Sequence, residues 1–203
     1  MADPRIGILG GTFDPPHFGH LVIAEEARVR LALQYVLFVP NGQPPHKPGR
    51  PISPAEDRVA MVQAAIAENP HFRLSRLDVD RSGPCYTVDM LAILRKEWGE
   101  EAELYFIVGM DSLRDLPTWR DPPRLLSLCT LVAVTRPGYV ADLRALDEAV
   151  PGASRHVVLL EGPALDISAT ELQRRVREGL PIRYQVPEAV RDHISSRGLY
   201  ASV

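Results

Sequence analysis

His17 and His20 stand three residues apart in a turn that opens with Gly10 and Gly11 and runs through Asp14, Pro15 and Pro16. The chain has six histidines in 203 residues, and two of them share this one turn. Imidazoles at this spacing can converge on a single anionic group. Consecutive glycines let backbone N–H groups come close to a ligand, and Gly19, between the histidines, leaves room for a phosphate to reach the backbone. A zinc pair is disfavoured, because helical metal pairs prefer an i,i+4 spacing and no third ligand stands nearby. The stretch is not a P-loop, since no Gly-Lys-Ser/Thr follows, nor a Gly-x-Gly-x-x-Gly turn. Spacing alone leaves a plainer reading open, in which both histidines are ordinary polar residues at a helix cap.

The turn is useful only if its neighbours position it. Residues 5–9 form a short apolar run of the kind that reads as a buried parallel strand. Phe13 reads as an apolar plug. From Gly19, Leu21, Ala24 and Ala27 recur at about one-turn intervals, as in a helix. Strand, glycine turn and helix together place the turn beyond the strand's carboxyl end, where open α/β sheets bind ligands. The histidines then sit at a helix start, where unpaired N–H groups and the positive dipole end favour an anion.

The pattern repeats along the chain. Strands are expected at 35–40, 72–77, 103–108, 129–134 and 156–160. Ser53 to Glu56 reads as a capping box with Pro54 at the first helical position, opening a helix to about Glu68. A helix over about 88–98 takes Thr87 as N-cap. Shorter helices follow Asp121 and span 142–149. Ser168 with Glu171 reads as another capping box, and an amphipathic helix ends the tail from Ile182. This alternation predicts an α/β, Rossmann-like, doubly wound parallel sheet with helices on both faces. One domain over 1–203 is expected, with the helical part from about 168 packed on it.

Other candidates fall at the same kind of place. His46 and Lys47 lie on a Pro- and Gly-rich loop after a strand; composition favours a solvated loop, position favours a site. Tyr86 and Thr87 open a helix whose first amides could take a small carboxylate, or simply form a cap. Gly109-Met110-Asp111 reads as a turn at a strand's carboxyl end, a common arrangement. A lone tryptophan such as Trp119 is usually core, and Trp98, ending an amphipathic helix, reads as structural. Arg136 fits a phosphate contact or a salt bridge equally well.

Composition narrows the classes. A net charge of −3 with 45% hydrophobic and 24% charged residues is ordinary for a globular protein and provides no basic footprint for nucleic acid. Cys85 and Cys129 suggest no disulfide framework, which points to a reducing compartment. The opening Met-Ala-Asp-Pro-Arg does not read as a signal peptide. No apolar run approaches the ~20 residues needed to span a bilayer. A cytoplasmic protein with no membrane or nucleic-acid partner is expected.

The stretch Gly10-Gly11-Thr12-Phe13-Asp14-Pro15-Pro16-His17-Phe18-Gly19-His20 resembles the signature of the His-x-Gly-His nucleotidyltransferase superfamily. It is most similar to bacterial nicotinate-nucleotide adenylyltransferases, and the likeness continues through nearly the whole chain. The resemblance implies a reaction of nicotinate mononucleotide with ATP, giving deamido-NAD and pyrophosphate in NAD biosynthesis. It makes His17, His20 and Lys47 catalytic. It assigns ATP to Gly10, Gly11, Thr12, Phe13, His17, His20, Gly109, Asp111, Ile167, Ser168 and Thr170. It assigns the mononucleotide to His46, Lys47, Tyr86, Thr87, Trp119 and Arg136, and implies Mg2+ held mainly by the phosphates. The attacking phosphate, with a second pKa of about 6, is largely anionic at neutral pH and needs no general base. In-line placement and charge stabilisation are what the chemistry requires.

One position departs from the pattern. The family has Arg three residues after the Thr of its Ile-Ser-Ser/Ala-Thr motif, and this chain has Gln173. Arg174 and Arg175 follow, but point roughly 100° and 200° away on a helix. Either another arginine compensates or ATP is held less tightly. Rival readings are a nicotinamide-mononucleotide or dual-specificity enzyme, a phosphopantetheine enzyme, and a non-catalytic nucleotide-binding regulator. A homo-oligomer is left open.

Overall fold

The apolar runs line up as a single six-stranded sheet in a computed structural model, described over residues 4–43, 52–135, 141–163 and 165–201. The strands are β1 (Arg5–Gly11), β2 (Tyr35–Pro40), β3 (Phe72–Leu74), β4 (Glu103–Gly109), β5 (Thr130–Thr135) and β6 (Val157–Glu161). Every neighbouring pair is parallel and the order is β3-β2-β1-β4-β5-β6. This is the expected doubly wound arrangement, and its order reverses between β1 and β4, the place where such sheets leave a crevice at their carboxyl edge.

Helices cover both faces because alternate strand residues are apolar on both. In β4, Leu104, Phe106 and Val108 pack on one side with α3 (Thr87–Trp98) and α5 (Pro122–Leu128). Tyr105 and Ile107 pack on the other with α1 (Phe18–Arg30) and α2 (Ala55–Ile66). Trp98 lies beside the first of these cores, edge-on to Tyr35, as a structural residue. Two short helices complete the middle of the chain, α4 (Met110–Asp115) and α6 (Leu143–Ala149).

A third core joins the C-terminal helices α7 (Ala169–Arg177) and α8 (Glu188–Arg197) to α2. Met61 of α2 meets Leu172, Ile182, Val190 and Ile194 there. Asp57, buried at the start of α2, accepts from Arg197 Nε at 2.9 Å and lies 3.1 Å from His193 Nε2. The Arg197 hydrogen bond, helped by His193, holds the Asp57 carboxyl below its usual range against the opposing cost of burial.

Several boundaries differ from the sequence reading, each for a local reason. β3 stops at Leu74 instead of running to 77. Ser75 N–H still donates to Phe38 C=O, but the next ladder bond would need the N–H that Pro40 lacks. Pro54, not Ser53, caps α2; the Ser53 N–H that a capping box would give to Glu56 goes to Asp14 Oδ2 at 3.1 Å, and Glu56 is paired with Arg76. Tyr86, not Thr87, caps α3, with no side-chain bond. Gly109-Met110-Asp111 is not a turn: Gly109 ends β4 and caps α4 directly. Ser168 does cap α7, accepting from Glu171 N–H at 3.2 Å. Only half of that capping box forms, since the Glu171 carboxylate is turned to Arg174.

Candidate active site

The carboxyl ends of β1, β4 and β5 and the starts of α1, α3, α4 and α7 enclose a cleft of about 850 Å³. Gly10, Gly11, Thr12, His17, Gly19 and His20 form one wall; Ile167 and Ser168 adjoin it. Tyr86, Thr87, Phe106, Trp119 and Arg120 form another, with Gly109 and Asp111 in the lining. The structure therefore gathers most of the sequence-derived candidates around one space.

The histidine wall is tightly built. His17 caps α1 and is only 7% exposed. Its ring stacks on His20, 3.7 Å between centroids. The His17 N–H donates to His20 Nδ1 at 3.2 Å. In neutral His20 the proton therefore sits on Nε2. His17 Nδ1 is buried with no hydrogen-bond partner. Burial lowers the pKa of His17 to about 4, so it works as a neutral imidazole at neutral pH. Gly19 lines the cleft, and a Cβ there would come within 2.9 Å of His17 Nδ1. Gly19 is needed first to admit the His17 ring.

Phe13 lies beneath this wall and outside the cleft lining, 2% exposed. Its backbone has φ of +50°, which costs a non-glycine residue about 1–3 kcal/mol. Burying the ring, against His20 and Phe38, contributes about 1.5–3 kcal/mol and can hold the conformation.

Behind the turn stands a brace that sequence patterns did not reveal. Arg58 of α2 is 2% exposed and donates to four backbone carbonyls. Nη1 reaches Thr12 O at 3.0 Å and Asn41 O at 2.6 Å. Nη2 reaches Gly42 O at 3.2 Å, and Nε reaches Ser53 O at 3.0 Å. The loops after β1 and β2 are thus tied to one guanidinium. Asp14, 5% exposed, accepts from Tyr200 Oη at 2.5 Å as well as from Ser53 N–H. The Asp14 carbonyl accepts from Gln173 Nε2 at 2.6 Å. Phe18 N–H donates to Gln185 O at 3.1 Å, bringing the link between α7 and α8 to the same turn.

Gln173 is therefore a strut of the turn, and its neighbours are committed elsewhere. Arg174 pairs with Glu171 and Glu178, and Arg175 donates to Pro181 O at 3.0 Å. Asp111 is well exposed and pairs with Arg114 at 3.0 Å. Thr170 is exposed and outside the lining. Trp119 meets Phe106 edge-on at 6.1 Å. His46, Lys47 and Arg136 lie outside the described residues. The signal that could have found Arg58 is a lone arginine among Val59, Met61 and Val62 on an apolar helix face. Asp14 and Tyr200 carried no comparable signal.

The cytidylyltransferase-like family profile matches residues 8–175. A relative from Thermomicrobium roseum, named "Probable nicotinate-nucleotide adenylyltransferase", is 52% identical over 98% of this chain and 92% of its own. One of the same name from a Roseiflexus species is 50% identical over 98% of this chain and all of its own length. Among solved structures, the Plasmodium falciparum nicotinic acid mononucleotide adenylyltransferase complexed with NaAD superposes with a TM-score of 0.79, covering 97% of both chains at 19% identity. At that identity the likeness is one of fold. Profile and relatives together place this chain in the cytidylyltransferase-like family and, within it, among the nicotinate-nucleotide adenylyltransferases.

Proposed function

We propose that the cleft joins nicotinate mononucleotide to ATP, giving deamido-NAD and pyrophosphate in NAD biosynthesis. The observation that carries this reading is the stacked His17–His20 pair at the start of α1, facing the same cleft as the Tyr86–Trp119 wall. One wall suits transferring phosphates and the other an aromatic ring, as the sequence resemblance implies.

A phosphate oxygen of the mononucleotide attacks the α-phosphorus of ATP. The bond from that phosphorus to the bridging oxygen breaks, and pyrophosphate leaves with the electron pair. No proton moves in this step, so no general base is required. His20, with its proton on Nε2, donates to a non-bridging oxygen of the α-phosphoryl group. Neutral His17 supplies a second polar contact and orients His20 through its backbone N–H. The glycine-turn amides and the start of α7 add fixed dipoles for the triphosphate. Lys47 is assigned to a phosphate, with His46 beside it, on resemblance. Tyr86, Thr87 and Trp119 are assigned to the pyridine ring and its substituent.

Magnesium supplies charge neutralisation on the phosphates when bound with ATP. Among the described residues no group of three or more His, Cys, Asp and Glu gathers to hold an ion; that the ATP phosphates are its main ligands is what the sequence resemblance implies. We take 1–203 as one domain, supported by the core that joins α2 to α7 and α8. No described helix is long and apolar enough to cross a membrane; the cytoplasmic location we assign rests on the sequence reading.

The test is magnesium-dependent pyrophosphate release from ATP with nicotinate and nicotinamide mononucleotides side by side. Release with strong preference for the acid is expected. Equal use of both would make this a dual-specificity enzyme. His20→Ala should lower kcat by about 10²–10³, far more than it raises KM for the mononucleotide. An unchanged kcat would remove His20 from the mechanism.

A further inference from the structure

The proposed reaction brings several anionic groups into the cleft, yet its described lining holds a single Arg or Lys side chain. That residue is Arg120, set against Asp78, Asp111 and Asp115. Arg120 directly follows Trp119, so it belongs to the wall assigned to the pyridine ring rather than to the histidine wall.

Two contacts hold it there. Its guanidinium carbon lies 4.6 Å from the centre of the Tyr86 ring, and Nη1 lies 3.4 Å from Asp89 Oδ2. Tyr86 caps α3 and Asp89 lies in its first turn. A guanidinium stacked on an aromatic face keeps its N–H fork for partners in its own plane. At 3.4 Å the bond to Asp89 is longer than the 2.7–2.9 Å usual for charge-assisted pairs. Both side chains are partly exposed, so the pair is loose and a second carboxylate can compete for the fork.

We propose that Arg120 is a specificity-determining residue, pairing with the carboxylate that distinguishes nicotinate from nicotinamide mononucleotide while Asp89 holds the guanidinium in place and competes for it. The assignment rests on the mononucleotide reading of the cleft. A carboxamide offers the fork one neutral oxygen where a carboxylate offers two charged ones, and charge-assisted bonds are about twice as strong. Electrostatics also sets the sign for Asp89: its negative charge works against the incoming acid.

The experiment compares kcat/KM for the two mononucleotides in wild type, Arg120→Gln, Arg120→Lys and Asp89→Asn, with KM for ATP measured throughout. Arg120→Gln should lower the acid-to-amide ratio about tenfold or more, chiefly through KM for the acid. Arg120→Lys should recover part of that ratio, since it keeps the charge and loses the fork. Asp89→Asn should raise it. An unaltered ratio in Arg120→Gln would overturn the proposal. So would an equal fall for both mononucleotides, which would place the guanidinium on a phosphate. A wild-type protein that releases pyrophosphate with neither mononucleotide would overturn the reading of the cleft itself, before any variant is compared.

Discussion

The two walls of the cleft are held by different physics. The histidine wall is buried and tied to distant chain segments: Tyr200 and Gln173 reach Asp14 across 186 and 159 residues of sequence, and Arg58 binds the loops after β1 and β2. The ring wall carries its charge on the surface, where Arg120 rests on Tyr86 and pairs loosely with Asp89. Desolvated hydrogen bonds are costly to leave unmade, whereas exposed ion pairs contribute ~0–1 kcal/mol. The wall we assign to the reacting phosphates is therefore expensive to alter, and the wall we assign to the pyridine ring is cheap to alter.

Arg58 offers the largest test of that contrast. Arg58→Met keeps much of the volume but strips donors from the carbonyls of Thr12, Asn41, Gly42 and Ser53. Each orphaned group costs about 1–3 kcal/mol unless water reaches it. A net loss of about 3–5 kcal/mol in urea unfolding is expected, of the size seen when buried charged networks are broken. Arg120→Gln should stay within about 0.5 kcal/mol of wild type, as exposed substitutions do. Equal losses in the two variants would erase the distinction between the walls.

The second test uses pH. Burial holds His17 at a pKa of about 4, below its ordinary 6.5. Between these values the unfolded chain binds a proton that the folded chain refuses, so stability rises with pH and levels off above 6.5. Acidification from 6.5 to 4 should remove about 3 kcal/mol through this one residue. His17→Asn cannot titrate, and its stability curve should lack that part of the slope. Parallel curves for the two proteins would mean that water reaches the ring in the folded state.

How much of this was legible follows the same divide. Apolar alternation gave the parallel sheet, its strand positions within a few residues, and the placement of glycine turns at the carboxyl edge. Local chemistry gave the Ser168 cap and the structural place of Trp98, while the roles of the histidine turn and of Trp119 came from the family resemblance. The brace was not legible, because its bonds join positions with no sequence relation: Asp14 to Tyr200, or Arg58 to Asn41. The caps of α2 and α3 were misplaced for a similar reason. The Ser53 N–H that a capping box would give to Glu56 goes to the distant Asp14 carboxylate, and Glu56 is held by Arg76. Gly19 shows the limit of reading a motif residue by residue, since room for the His17 ring is a second demand on it that only the fold reveals. His46, Lys47 and Arg136 rest on the sequence reading.

Gln173 offers the smallest effect and the finest division. It stands where the family pattern has Arg, and its amide donates to the Asp14 carbonyl at 2.6 Å. Its helical neighbours do not make good the missing fork, because Arg174 is paired with two glutamates and Arg175 with the Pro181 carbonyl. The chain has thus taken a short neutral strut in place of a longer cation. Gln173→Ala removes one hydrogen bond and should cost about 1 kcal/mol of stability. Gln173→Arg can still reach the Asp14 carbonyl and brings extra donors with a charge. It should lower KM for ATP about fivefold, equivalent to about 1 kcal/mol of charge-assisted bonding. If Arg leaves KM for ATP where it was, the triphosphate does not lie against this turn of α7. The residue then belongs only to the brace, and the histidine wall ends at Ser168.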